Sequence, residues 1–472
     1  MKFSYQWLKE LVPHIPAPDA LVDLLTFHSF EIESVEKKGK DHVIDIKILP
    51  DRISDAGSHW GLAREVAAVA GVPYNNPAKK LSPSIFGGKA SASLFSLDVE
   101  DHAVCARYIG CAVSNVKITA SSQKDKARLA LFGMNAINSL VDFANIAMLE
   151  TGQPLHVFDM DKIVGRRVFV RKARKGEKIL ALDNIEYPLD ESMTVIADDA
   201  GPLAIAGIKG GKRAEVDMHT KNILVEAAFF DSASIRKTVR ALKFSTDAST
   251  RFTQGIDPNA PQPGAARLVD LILKNTKGKV VGHIDYNPHP QTPRTIALRK
   301  EKADAVLGTS IDEKEMVSVL ERLGFGVRHM KGPREILLKN AKKLVGRPYY
   351  FGASAMYDAP RRFDCSSLMV YLFRSIGSQL PRMSYEQYAY GTPVEESEIL
   401  PGDLVFRERA AKEDDWKHDV GHVGLYIGGG KVIDASSKKG KVSLRPLKEF
   451  QKEARRYFGA RRVLPADHTP HY

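Results

Sequence analysis

A cysteine, a histidine and an aspartate in the last third of this 472-residue chain have the residue types needed for acyl transfer. Cys365 stands in Phe363-Asp364-Cys365-Ser366-Ser367 and opens a run whose apolar residues fall at 368, 369, 370, 372, 373 and 376. That spacing buries one face of a helix and leaves Cys365 at its positive end. A thiol attacks as the thiolate, which a helix N-terminus and a nearby imidazole both favour. His422 lies in the alternating run 420–427, which reads as a strand, and Gly428-Gly429-Gly430 turns the chain into a second strand, 431–435. With a three-residue loop, 427 pairs with 431, 424 faces 434 and 422 faces 436. His422 and Asp434 are then diagonal neighbours on one face, within side-chain reach. The carboxylate would hold the tautomer and orientation of the imidazole, which completes a set of nucleophile, base and orienter. A lone cysteine at a helix start with a histidine elsewhere also arises by coincidence, so these residues alone leave both readings open.

A second group lies earlier. Residues 141–160 read VDFANIAMLETGQPLHVFDM, an apolar helix carrying Asn145 and ending at Gly152, with His156 in the following turn. Residues 223–230, ILVEAAFF, form an apolar strand with one carboxylate, Glu226, in its middle. A charge there is costly unless it is paired or faces a cavity. Thr246-Asp247-Ala248-Ser249 reads as a helix N-cap leading into Arg251-Phe252. Taken alone, His156 reads equally as a satisfied turn histidine and Glu226 as half of a structural ion pair.

The rest of the chain must position these groups. At 43% hydrophobic and 27% charged residues it is an ordinary globular composition with room for about three domains. The net charge is +12, with most of the excess in residues 331–472, so any anionic partner belongs more to the last part than to the first. The three cysteines, Cys105, Cys111 and Cys365, form neither a disulfide framework nor a zinc spacing. Cys105 and Cys111 sit in an apolar strand-like run, 104–116, and read as core. No metal or other cofactor is called for. The opening MKFSYQWLKELVPHIP has no export-signal core, and no apolar run approaches a membrane span, so a cytoplasmic chain without membrane contact is expected. Helical spacing marks 19–27, 59–70 and 311–323, and alternation marks 43–49. A connector runs from 75 to 89, a Pro-rich linker covers 286–295, and a polar seam at 326–335 precedes a new amphipathic helix near Glu335.

Two family resemblances join these pieces. Residues 337–465 resemble the NlpC/P60 family of papain-like cysteine peptidases. The resemblance rests on Gly346-Arg347-Pro348-Tyr349, Phe363-Asp364-Cys365-Ser366-Ser367-Leu368, Leu380-Pro381-Arg382-Met383-Ser384, Pro401-Gly402-Asp403-Leu404-Val405-Phe406 and Gly421-His422-Val423-Gly424-Leu425-Tyr426-Ile427-Gly428. It implies Cys365 as nucleophile, His422 as base, Asp434 in the third position and Tyr349 beside the thiol. The implied substrate is a peptide, typically a peptidoglycan stem peptide.

Residues 1–285 resemble the bacterial phenylalanyl-tRNA synthetase beta subunit. Here the matching runs are FSYQWLKELV, Ser58-His59-Trp60-Gly61-Leu62-Ala63-Arg64-Glu65, Met148-Leu149-Glu150-Thr151-Gly152-Gln153-Pro154-Leu155-His156, residues 204–211, and Thr246-Asp247-Ala248-Ser249-Thr250-Arg251-Phe252. The resemblance implies a B3/B4 domain that hydrolyses tyrosine wrongly attached to tRNA, with Asn145, His156, Glu226, Thr246 and Ala248 lining the pocket. Glu226 would accept the hydrogen bond of the tyrosine hydroxyl, a contact that discriminates well. Ala144-Asn145-Ile146 and Asn135-Ala136 depart from the Thr-Asn-Tyr and Arg-Pro frequent in the family. Residues 296–327 resemble the start of a B5 domain.

The expected architecture is therefore α+β and multidomain. A synthetase-beta-like N-terminal domain (1–85), a B3/B4-like domain (90–285) and a partial B5-like segment (296–327) precede a papain-like NlpC/P60 domain (335–472). The leading functional reading is a thiol hydrolase fused to a module that binds or edits aminoacyl-tRNA. The alternative is a phenylalanine-tRNA ligase beta component acting with an alpha subunit and tRNA, the hydrolase being incidental. The core that docks the alpha subunit is missing from this sequence, so aminoacylation by this chain alone is not expected.

Overall fold

The computed structural model describes residues 1–81, 94–328, 332–408 and 419–464. Parts of the connector expected at 75–89 and of the seam expected at 326–335 lie outside these residues, as does 465–472. Two compact units form: residues 1–300 with 304–327, and residues 301–303 with 328–472. Both mix helix and sheet, so the chain is α+β in two parts. Among the described residues no helix is long and apolar enough to cross a membrane.

In the first unit, Lys2–Ser4, Asp41–Lys47 and Glu31–Lys38 form a three-stranded antiparallel sheet in that order. His59–Ala70 packs beside it, capped by the Ser58 hydroxyl at one end and by left-handed Gly71 at the other. The larger core lies between two sheets. One contains Lys209–Gly210, Gly201–Ile205, Thr194–Asp198, Arg167–Lys172 and Ser96–Val99 in spatial order. The other contains Lys279–Tyr286, Cys105–Ser114, Ile223–Phe230 and Leu155–Asp159. Strand alternation sends Leu224 and Ala228 into the core between the sheets, with Tyr108, Phe158, Val195 and Leu203. Ile223 and Val225 face the other way and meet Phe143 and Ala147 of the helix Ser139–Thr151 and Leu268 of Pro261–Asn275. Cys105 and Cys111 are buried core residues. In 296–327 the helices Lys300–Leu307 and Glu313–Arg322 form, and Val306, Leu307 and Phe325 are exposed.

The second unit is a six-stranded antiparallel sheet in the order Thr392–Val394, Tyr457–Arg462, Leu404–Glu408, Val420–Gly428, Lys431–Ser436, Lys441–Pro446. The helix Cys365–Arg374 lays Leu368, Leu372 and Phe373 against Val423, Leu425 and Ile433 of that sheet. Each such residue removed from water contributes roughly 1.5–3 kcal/mol, which fixes the helix start relative to the strands.

Candidate functional site

The start of Cys365–Arg374 is set by a capping box. The Asp364 carboxylate accepts the Ser367 N–H at 2.6 Å, and the Asp364 N–H is donated to the Ser367 hydroxyl at 2.9 Å. Arg382 pairs with the same carboxylate at 2.6 Å. Cys365 is thus the first helical residue and half-buried, and the backbone N–H groups of Val423 and Ser366 pull its pKa down. Tyr349 packs in the same cluster, bridged through its backbone to Phe363 two residues before the thiol.

The hairpin differs from the expected one in its loop. Gly428 pairs with Lys431, leaving the two-residue turn Gly429-Gly430, and Ile427 is an extra residue in a bulge. The body of the ladder has the expected register, with Leu425 opposite Ile433, and pairing stops there. Beyond that point Val423 packs in the cluster that holds Cys365, and His422 reaches Asp434 on one face. Nε2 of His422 is 2.7 Å from Asp434 Oδ2, so this nitrogen carries the proton and donates it, which leaves Nδ1 for proton exchange.

Asp434 and Arg445 are both fully buried. Nε of Arg445 donates to Oδ1 at 2.9 Å and Nη2 to Oδ2 at 2.5 Å. Arg445 also pairs with Glu453, which takes Arg407 at 3.2 Å. The Phe450 ring lies 5.6 Å from the His422 ring and about as far from both guanidiniums. Burial alone would raise the Asp434 pKa, but the hydrogen bonds and charges of His422 and Arg445 outweigh it and hold the carboxyl below the usual range. Burial lowers the pKa of His422 while Asp434 opposes the shift, so the ring is neutral at rest.

The thiol departs from the expectation that its surroundings favour the thiolate. Burial, and then the neighbouring Asp364 carboxylate, push it up to about 11, against the pull of the two backbone N–H groups. The helix dipole is outweighed first by burial of the thiol and then by the charge of the carboxylate that caps the helix. At rest the thiol and the imidazole are both neutral, and Nε2 of the imidazole is held by a carboxylate. A neutral imidazole held in this way can take a proton on Nδ1.

The earlier residues form a separate group in the first unit. His156 lies in the strand Leu155–Asp159 and not in a turn, directly opposite Glu226. Left-handed Gly152 stops the helix, and Gln153-Pro154 completes the corner in two residues. The Gln153 side chain docks that corner by donating to the carbonyls of Pro154 and Ala228, both at 2.8 Å. His156 packs against Gly210, where a Cβ would stand 2.5 Å from its Cε1. Burial lowers its pKa to about 4. Glu226 is 6% exposed, and its Oε2 has no hydrogen-bond partner among the described residues; the same holds for the nearby Tyr108 hydroxyl. Burial pushes the Glu226 pKa up to about 8.

Thr246 caps the helix Asp247–Gln254, accepting the Ser249 N–H and donating to the Ile208 carbonyl at 2.9 Å, two residues from Gly210. Ala248 follows, half-buried, in the first turn. Asn145 is not brought to this group. Its helix packs by Phe143, Ala144 and Ala147 on the face of the sheet opposite to Glu226 and His156. At the departures from the family pattern, Ala144 and Ile146 are both core residues.

Residues 346–462 match the NlpC/P60 family, and residues 104–277 match the B3/4 domain. The phenylalanine--tRNA ligase beta subunit of Moorella thermoacetica is 41% identical over 399 residues, covering 84% of this chain and 45% of that protein. That of Carboxydothermus hydrogenoformans is 39% identical over 298 residues, covering 62% and 37%. The chain spans less than half the length of these curated relatives. An NlpC/P60 family protein from Bacillus cereus is 32% identical, covering 28% of this chain and 40% of that one, with a TM-score of 0.24. Both resemblances read from the motifs are thereby borne out: a phenylalanyl-tRNA synthetase beta-like module precedes an NlpC/P60 domain.

Proposed function

We propose that the second unit is a thiol hydrolase of peptide amide bonds. Cys365 is the nucleophile, His422 the base and Asp434 the group that orients it, with Tyr349 beside the thiol. The supporting observation is the 2.7 Å contact between His422 and Asp434, on the strand whose Val423 packs in one cluster with Cys365. In this reading His422 Nδ1 takes the thiol proton as the sulfur adds to the carbonyl carbon. The same proton then goes to the leaving amine, and water releases the acyl group with His422 again as base. The substrate class that fits the family match is a cell-wall-type stem peptide. Incubating the full chain with purified stem peptides and following the products by mass spectrometry tests it. Cleavage that Cys365→Ala abolishes is expected; equal cleavage by that variant would remove the reading.

A second reading concerns the first unit and is favoured by the unpartnered Oε2 of Glu226 beside His156. A buried acceptor without a partner suits a hydroxyl brought by a ligand. The unit would bind aminoacyl-tRNA and hydrolyse tyrosine from mischarged tRNA, water being the attacking species. A synthetase alpha subunit is the protein partner implied by the curated relatives. Release of tyrosine from mischarged tRNA by the full chain, lost in Glu226→Ala, is the expected result. Equal release by both proteins would count against it.

A further inference from the structure

We propose that Arg445 is a positioning residue that cancels the charge of Asp434, so that the carboxylate orients His422 without holding it protonated. This rests on the thiol-hydrolase reading of Cys365 and His422. Asp434 is fully buried and gives one carboxylate to two partners, the imidazole at 2.7 Å and the Arg445 guanidinium at 2.5 and 2.9 Å. An uncompensated carboxylate at that distance would raise the pKa of the ring and favour the imidazolium, and a protonated ring cannot accept the thiol proton.

The remaining charges close the balance. Arg445 is held from behind by Glu453, and Glu453 also takes Arg407. The set thus contains two carboxylates and two guanidiniums and is neutral overall. Phe450 closes over both guanidiniums and the His422 ring and keeps the set in one geometry. The other charged groups nearby are Asp364 with its partner Arg382 on the thiol side and exposed Lys438 at 3.8 Å from Glu453.

The strand register makes the pairing possible. Asp434 is opposite Ser443 and Val432 is opposite Arg445, so Arg445 and Asp434 are diagonal neighbours on the His422 face. Arginine suits the role because its planar fork binds both carboxylate oxygens and stays charged when buried.

Two readouts on the full chain test this. One is the titration of His422 by NMR with labelled histidine, assigned with His422→Ala. The other is the pH dependence of Cys365 alkylation by uncharged iodoacetamide. Arg445→Met leaves Asp434 uncompensated, so the His422 midpoint should rise by about one to two pH units and the alkylation profile should move to higher pH. Asp434→Asn leaves the guanidinium uncompensated and should move both the other way. The double variant Asp434→Asn/Arg445→Met should return the midpoint to within about half a unit of the parent.

A merely structural Arg445 would lower stability and leave the midpoints where they were, and that result overturns the proposal. If Arg445→Met does not fold, the comparison of Asp434→Asn with the double variant decides alone: a midpoint unchanged by the second substitution overturns it. If Cys365 is inert to alkylation at every pH, the hydrolase reading fails, while the His422 titration still decides the role of Arg445.

Discussion

Replacing Glu226 by glutamine removes a titrating carboxylate from between the two sheets of the first unit. Burial pushes the pKa of this side chain up to about 8, and one of its oxygens has no partner. In the unfolded chain a glutamate titrates near 4.3. Between about pH 4.3 and 8 the folded chain therefore binds a proton that the unfolded chain does not, and stability falls as pH rises through that window. One pKa unit corresponds to about 1.4 kcal/mol, so the full penalty is about 5 kcal/mol, and about 3–5 kcal/mol after local relaxation. Glutamine cannot titrate. The difference in unfolding free energy between Glu226→Gln and the parent should thus grow by about 2–4 kcal/mol, in favour of the variant, between about pH 5 and 8.5. Any misfit of the glutamine amide adds an offset that does not change with pH, so the slope carries the test. His59 and His156 titrate with the opposite sign in both proteins and cancel. Urea unfolding followed by the fluorescence of buried Trp7 and Trp60 gives the measurement. A difference flat to within about 1 kcal/mol across that range would refute the reasoning.

Two further outcomes follow from particular contacts. At Gly424 a Cβ would meet Val432 Cγ1 at 2.5 Å, Phe450 Cε2 at 3.1 Å and Asp434 Cβ at 3.3 Å. Gly424→Ala should cost about 1–3 kcal/mol and slow Cys365 alkylation at least about tenfold by displacing Asp434 from His422; a variant that melts and reacts like the parent would contradict the geometry. His59 is fully buried with a pKa lowered to about 3, donating from Nδ1 to the Leu149 carbonyl at 2.9 Å and stacked 4.3 Å from Trp7. Its stabilisation is complete above the unfolded value near 6.5 and is lost as pH falls towards 3. His59→Gln should accordingly make the acid limb of the first unit shallower, and acid unfolding curves of equal steepness would rule this out.

The sequence pattern carried some of this structure and not the rest. The strand Ile223–Phe230 and the Thr246 cap were legible because a short continuous apolar run and an N-cap serine or threonine are local signals. The helix after Asp364 was legible for the same reason. His156 was assigned to a turn because the Gln153 side chain, which makes so short a corner possible, is bonded to residue 228 far along the chain. The glycine run 428–430 reads as a three-residue loop, whereas glycines at 429 and 430 allow a tighter turn with a bulge at Ile427. Arg445 gave no signal at all. Alternation beside Leu444 suggests the leucine is inside, yet Leu444 is 44% exposed on an edge strand and Arg445 is buried. Its position is decided by charges on two other segments, Asp434 and Glu453. The raised thiol pKa is equally hidden, because it comes first from tertiary burial of the thiol and then from the capping carboxylate that builds the helix start.

In the proposed hydrolase one sulfur reacts because one imidazole takes its proton. A peptide-based electrophile that reacts with thiols, applied to the full chain and mapped by mass spectrometry, separates this from chance reactivity. A single adduct on Cys365 is expected, none on buried Cys105 and Cys111 with their raised pKa values, and at least about a hundredfold slower labelling in His422→Ala. Equal labelling rates in the parent and in His422→Ala would contradict it.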